Sequence, residues 1–318
     1  MEKPRALVVE DLTGDLRFAL APDPRTLVVL QTLAVASSIP LVYSLGRKVL
    51  NDYVLALTFA LAFFLYLPAR GPLRSDFHPE VLIEPLMFLA FVFLMRNQIG
   101  WFLGFLLMIL STKENMPGVV FAFGFYAFCF VRKRWLGLSL MVFSVVYLVL
   151  ITEWVIPTIG GEPFLYRGFF TEALTSPWGT VRRLFDWEAV SYTFRVFSPL
   201  LFLSVFHPPT FILTLPILLQ NLLYGAAVTL SLNHHYTAGL SAPVFISAIH
   251  GWKVLQKHWT FFRRSRSFWI GALIFTSLMR SGPSEFFYFW NSWQKVTGRT
   301  QLIRKELGKI DRSQVVLT

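Results

Sequence analysis

Between Leu27 and Arg280 the sequence is a succession of apolar runs, broken only by short polar punctuation. A helix needs roughly 20 apolar residues to cross the hydrocarbon core of a bilayer. Inside that core every backbone polar group must be bonded within the protein. The runs therefore predict an all-α, polytopic bundle embedded in a membrane. Composition agrees. Only 15% of the residues are charged and 55% are hydrophobic, with 33 Phe, whereas soluble domains run nearer a quarter charged. Mean hydropathy is +0.56. The net charge of +11 is read as an orientation signal of the kind membrane loops carry, not as a nucleic-acid footprint. The single Cys129 lies within an apolar run and rules out an intrachain disulfide.

About ten hydrophobic segments are expected, several short or proline-kinked: 27–46, 53–69, 79–95, 99–111, 116–131, 135–156, 189–206, 210–225, 237–254 and 268–280. Pro24 predicts a helix start, Asn51-Asp52 a cap for the second segment, and Pro79 and Pro117 first-turn positions. The run 99–111 is below spanning length, which predicts a thin, kinked or re-entrant helix. Residues 1–25 form a polar N-terminal segment without the apolar core of a signal peptide. Residues 26–280 form the membrane domain, in which the loop 157–188 is expected to hold interfacial pieces. Residues 281–318 form a polar tail, helical from Trp290 to Lys309 and ending in a strand-like Val315-Val316-Leu317-Thr318.

If every segment crosses, the loops alternate sides. One set holds Arg47, Lys48, Arg96, Arg132, Lys133, Arg134, Lys253, Lys257, Arg263, Arg264 and Arg266 against one acid, Asp52. The other mixes bases with Asp76, Glu80, Glu114, Glu162, Glu172, Asp186 and Glu188. The basic excess assigns the first set to the cytoplasm. Both termini and the unusual polar stretches then share the external face of a cell membrane.

Those polar stretches are the candidates for chemistry. Asp76, His78, Glu80 and Glu84 form the first. Glu80 and Glu84 are four apart and share a helix face. Glu84 lies one turn inside the apolar run, where a carboxylate needs a cavity or a partner. Acid/base work or binding of a divalent metal ion suits this set, while capping explains Asp76 and Glu80 equally well. Lys113-Glu114 offers a cation for phosphate and a base or ligand, against an ordinary interfacial pair with a snorkelling lysine. His234-His235-Tyr236 offers one imidazole to the first set, against an aromatic-belt cluster. Arg195, inside a segment, calls for an anion such as Glu84, Glu153 or a substrate phosphate. Gln31 and Gln220-Asn221 read as interhelical hydrogen bonds. No phosphate-cradling glycine loop or zinc-protease signature is present.

Ser75-Asp76-Phe77-His78-Pro79-Glu80, Lys113-Glu114-Asn115 and His235-Tyr236 together resemble the uncharacterised prokaryotic membrane family known as domain of unknown function 2079. Its pattern is an Asp-Phe-His-Pro-Glu run, a Lys-Glu-Asp run and a later His-Tyr; Asn115 stands where the family has Asp. The resemblance spans Pro22 to Thr318. The family is similar in layout to C-type glycosyltransferases, which implies polyprenyl-phosphate-linked sugar as the partner and a catalytic acid in the first external loop. Family members begin with a further helix and large loop and continue beyond this chain's last residue, so a shortened or split member is the expectation.

The leading reading is thus a lipid-linked glycosyltransferase-like membrane enzyme or an incomplete one. Asp76, His78, Glu80 and Glu114 would be catalytic candidates. Arg74, Lys113, Arg195, His234, His235 and Tyr236 would bind substrate phosphate, and Glu84 would face the cavity. A transporter or flippase is the alternative, suggested by Pro40, Pro85, Pro199, Pro216 and Pro243 in the segments and by intramembrane Glu84 and Arg195. A non-enzymatic membrane subunit is the third reading.

Overall fold

The computed structural model describes residues 24–74, 77–160, 175–224, 228–281 and 305. The expected N-terminal segment, Asp76, much of the 157–188 loop and the tail beyond Ser281, apart from Lys305, lie outside the described residues. Among the described residues there is helix and turn but no strand.

Helix α1 (Pro24–Leu50) starts on its proline and ends with Arg47 and Lys48 in the last turn, where cations meet the negative end of the helix dipole. Asn51, at φ 52°, turns the chain. Asp52 then caps α2 (Tyr53–Leu65), its Oδ1 accepting from the N–H groups of Val54 and Leu55 at 2.9 and 3.1 Å. The predicted cap is therefore present. The chain breaks at Tyr66 into α3 (Leu67–Arg70) and a 3-10 turn (Gly71–Arg74), bent by 53° from α2. A second 3-10 turn (Pro79–Leu82) leads into α4 (Ile83–Met95). The membrane helix thus begins at Ile83, four residues later than the apolar run.

Helices α5 (Ile99–Leu110) and α6 (Pro117–Cys129) are separate and antiparallel. They rise only about 18–20 Å each at 1.5 Å per residue, short of the hydrocarbon thickness. Lys133 Nζ donates to Asn97 Oδ1, so the α4–α5 and α6–α7 turns share one end of the bundle. Helix α7 (Arg134–Leu150) passes through one π turn (Ile151–Val155) into α8 (Ile156–Gly160). Thr26–Leu50 and Arg134–Ile159 are each long and apolar enough to cross a membrane, and the bent pair from Tyr53 to Arg74 makes a third such unit. On α7 the exposed side chains include Val142, Phe143, Val145, Val146 and Val149, a surface suited to lipid.

The stretch 187–224 is more finely broken than the expected proline-containing segments 189–206 and 210–225. After α9 (Pro177–Arg183), α10 (Trp187–Phe197) is amphipathic, burying Ala189, Tyr192 and Val196 while Trp187 and Phe194 stay exposed. Beyond it the chain breaks at Leu201 and Phe202, both left-handed at φ 52° and 56°, a conformation that costs a non-glycine residue about 1–3 kcal/mol. The 3-10 turn Leu203–Phe206 follows, then α11 (Pro208–Phe211) and α12 (Leu215–Tyr224). That turn lies against α13 (Ser241–His258). A Cβ on Gly251 would stand 1.9 Å from the Leu203 carbonyl oxygen, so only glycine admits this approach.

Helix α13 is the post of the bundle. Residues from Ser241 to Ile249 are buried in unbroken order, as expected of a helix surrounded by others. Phe245 meets Phe63 and Tyr66 edge-on at ring separations of 5.0 and 5.2 Å, and Trp252 meets Phe59 at 6.0 Å. The short α14 (Thr260–Arg264) and α15 (Arg266–Ser281) complete the order. Arg266 ion-pairs with Asp52, joining the start of α15 to the α1–α2 turn.

Candidate functional site

Three chain stretches meet at the opposite end of α4 from Asn97: the turn before α4, the α5–α6 turn and the turn before α13. Glu80 and Lys113 join the first two, with Lys113 Nζ 2.7 Å from Glu80 Oε1. His235 Nε2 lies 3.9 Å from the same oxygen. The His78 and His235 rings are stacked, with centroids 3.8 Å apart and planes 22° from parallel. Tyr236 lies against His235 at 4.2 Å, and Lys113 Nζ sits 5.3 Å from the Tyr236 ring centroid, within cation–π range. Residues 33 to 157 positions apart thus form one cluster.

Backbone packing sets this convergence. Gly71 is pressed against the turn that leads to His235: a Cβ there would be 1.9 Å from the Leu232 carbonyl oxygen. Arg74 Nη1 donates to Asn233 Oδ1 at 3.0 Å, and Thr237 Oγ1 donates to the Pro68 carbonyl at 3.1 Å. Asn221 Nδ2 donates to the Tyr236 carbonyl at 2.9 Å, and the His78 N–H reaches Gln31 Oε1 at 3.4 Å. Gly71→Ala will therefore push the 232–236 turn off α3. We expect a loss of about 1–3 kcal/mol in stability, the range of an overpacked contact, and shifted NMR signals for the His235 imidazole. Unaltered signals and melting would contradict this placement.

The electrostatics follow from burial and neighbours. Burial alone would raise the Glu80 carboxyl, but Lys113, by charge and hydrogen bond, holds it below the ordinary carboxylate range. Burial first, and then the neighbouring His78, push His235 down to about 4 against the pull of Glu80. At neutral pH the cluster presents a carboxylate, an ammonium and an uncharged His235. Such a set can hold an anion through Lys113, accept a proton on Glu80, or offer imidazole nitrogens to a cation.

A cavity of about 250 Å³ adjoins the cluster. Lys113, Asn115, Gln220, Asn221 and Tyr236 supply its polar part, and Asn115 Nδ2 donates to Gln220 Oε1 at 2.7 Å. Val119 of α6, Leu148 of α7 and Pro216, Ile217, Leu219 and Leu223 of α12 make the apolar walls. Gln220 and Asn221 were legible only as interhelical polar residues, and Asn115 only as the end of the Lys113-Glu114-Asn115 run; their place on the cavity follows from α12 packing beside α6.

Other candidates fall elsewhere. Glu84 does not face this cavity. It is 1% exposed, and its oxygens accept from the N–H groups of Gly239, Ser241 and Ala242 at 3.0, 3.3 and 2.8 Å. Arg195 donates to the Ser191 and Leu230 carbonyls at 3.3 and 3.2 Å, while Glu84, one of the anions expected for it, is bonded to the Gly239, Ser241 and Ala242 N–H groups. His234 is exposed beside the cluster, and Glu114 is half-buried on the turn next to Lys113. Asp76 lies outside the described residues.

Long apolar helices, shorter apolar helices and a polar cluster at their ends define a polytopic α-helical membrane protein. The sequence profile of the family described as predicted membrane protein (DUF2079) matches residues 18–304, and the chain belongs to that family. No curated protein and no solved structure matches it.

Proposed function

We propose that the chain is a membrane enzyme that transfers a sugar from a polyprenyl phosphate, working at the external face. The observation that carries this reading is the joint between cavity and cluster: Lys113 and Tyr236 belong to both. Apolar walls suit an isoprenoid chain, and an ammonium at the polar end suits its phosphate. In this reading the phosphate draws Lys113 from Glu80. The freed carboxylate takes the proton from an acceptor hydroxyl as its oxygen attacks the anomeric carbon. The sugar–phosphate C–O bond breaks, and the polyprenyl phosphate leaves with the electron pair. Asp76, next to this turn in sequence, is kept as a further candidate acid. The external assignment rests on the basic excess of the opposite loops. The cluster lies at helix ends, which favours an enzyme over a transporter with a midplane site.

Polyprenyl phosphate and the matching polyprenol, titrated into protein in nanodiscs, separate the headgroup from the chain. The phosphate should raise the melting temperature at concentrations at least tenfold lower than the alcohol, since a charge-assisted contact is worth about 1.5–3 kcal/mol. Lys113→Met should erase that preference. Equal binding of the two lipids, or a preference untouched in Lys113→Met, would refute the phosphate site.

A further inference from the structure

We infer that His78, Glu80 and His235 form a divalent-cation site, in which the ion takes the position that the Lys113 ammonium holds against Glu80. One ligating atom from each of the three residues lies within 4.8 Å of the others. Two imidazoles and one carboxylate, leaving a fourth position open, is a donor set that catalytic zinc uses. Among the described residues no hydrogen bond engages either ring's nitrogens, and the His235 Nε2–Glu80 Oε1 separation of 3.9 Å is too long for one. The His78 ring stacks on that of His235 at 3.8 Å.

Lys113 is the second observation. Its Nζ, 2.7 Å from Glu80 Oε1, shows that the cluster already accommodates a positive charge at that carboxylate. A tetrahedral zinc ion with bonds near 2.0–2.1 Å keeps its ligand atoms about 3.3 Å apart. The donors must therefore close by at most about 1.5 Å, and by about 0.6 Å for the 3.9 Å His235–Glu80 pair, with the two rings fanning out of their stack so that each lone pair points at the ion. His78 is on extended backbone at φ −125° and ψ 119° ahead of the 3-10 turn, so its ring turns without disturbing a helix. Glu80 is anchored by that turn and is 7% exposed. Mixed nitrogen and oxygen donors favour zinc over magnesium or calcium, which prefer all-oxygen sites.

The same geometry assigns Lys113 an opposite role toward metal and toward phosphate. As a like charge beside the ion it weakens metal binding. Removing it should tighten metal binding while weakening the phosphate contact.

The test uses metal alone and so does not rest on the lipid reading. Protein purified without a histidine tag, in detergent, is titrated with Zn²⁺ by calorimetry, and Co²⁺ is used as a spectroscopic stand-in. One ion per chain is expected, with the intense visible bands of a four-coordinate Co²⁺ complex. His78→Ala and His235→Ala should each weaken binding at least tenfold while melting near the parent temperature without metal, and Glu80→Gln should weaken it as much while also losing the stability that its pairing with Lys113 supplies. Lys113→Met should bind as tightly or up to tenfold tighter, and His234→Ala should match the parent. No stoichiometric binding by the parent would overturn the site, as would binding that survives His235→Ala or depends on His234. Loss of the metal result with polyprenyl-phosphate selectivity intact would remove this inference alone.

Discussion

Replacing Glu84 by alanine will destabilise the bundle by about 3–5 kcal/mol, because it leaves several buried backbone donors without an acceptor at once. The first turn of α13 explains the size. Its free N–H donors are those of Ser241 and Ala242; residue 243 is a proline without one, and Val244 already donates to the Leu240 carbonyl at 3.3 Å. Glu84 accepts from both free donors and from Gly239. Alanine would leave three donors without an acceptor in a site closed to water, each worth about 1–3 kcal/mol if unmade, at the positive end of the helix dipole. Glu84→Gln should fall between the parent and alanine. Its carbonyl can keep the Gly239 and Ser241 bonds, while its amide faces the Ala242 N–H. Denaturant unfolding in micelles measures all three. An alanine variant as stable as the parent would show that Glu84 is not the cap of α13.

The Glu80–Lys113 pair should show a coupling of about 1–3 kcal/mol in a double-mutant cycle, well above the 0–1 of an exposed pair. Its side chains are 9% and 19% exposed, so each single change strands a charge that solvent only partly reaches. Lys113→Met is expected to cost more than Glu80→Gln. The stranded lysine can swing its ammonium over Tyr236 or toward water, whereas Glu80 is held by its 3-10 turn. Glu80→Gln/Lys113→Met should recover much of the loss, because neutral partners need no mutual compensation. The cycle is read from unfolding free energies of the four proteins. Strictly additive single effects would mean that the two charges act independently.

Several elements were legible in the residues themselves. Pro24, Asp52 and Pro117 mark helix starts because φ restriction and side-chain capping act over one turn. The short 99–111 run announced a helix too short for the full hydrocarbon thickness. Pro199 marked a break in the seventh segment, and the 3-10 turn Ser198–Leu200 holds it, but the reversal beyond it was not legible: Leu201 and Phe202 carry no turn chemistry, and their left-handed backbone sits beside the close Leu203–Gly251 approach. Arg195 showed the same limit from the other direction. A charge inside a segment signals a partner, but the Leu230 carbonyl that meets it is 35 positions away. Of the adjacent histidines, spacing alone could not select one. The turn following Asn233 presents His235 to Glu80 and leaves His234 exposed.

What the sequence by itself determined is the class and the candidates. Lipid imposes length and apolarity on every span, so the apolar runs announce a helical membrane protein, and polar residues bordering those runs stand out against them. Which of those residues meet was decided only by the tertiary structure. Glu80, Lys113 and His235 converge, and Glu84 turns away to bond Gly239, Ser241 and Ala242, because α13 packs against α4 and the α5–α6 turn closes over the same end. The physical reason is that propensity and hydropathy act over a few residues, whereas these contacts join positions 33 to 158 apart. The packing of whole helices sets such separations.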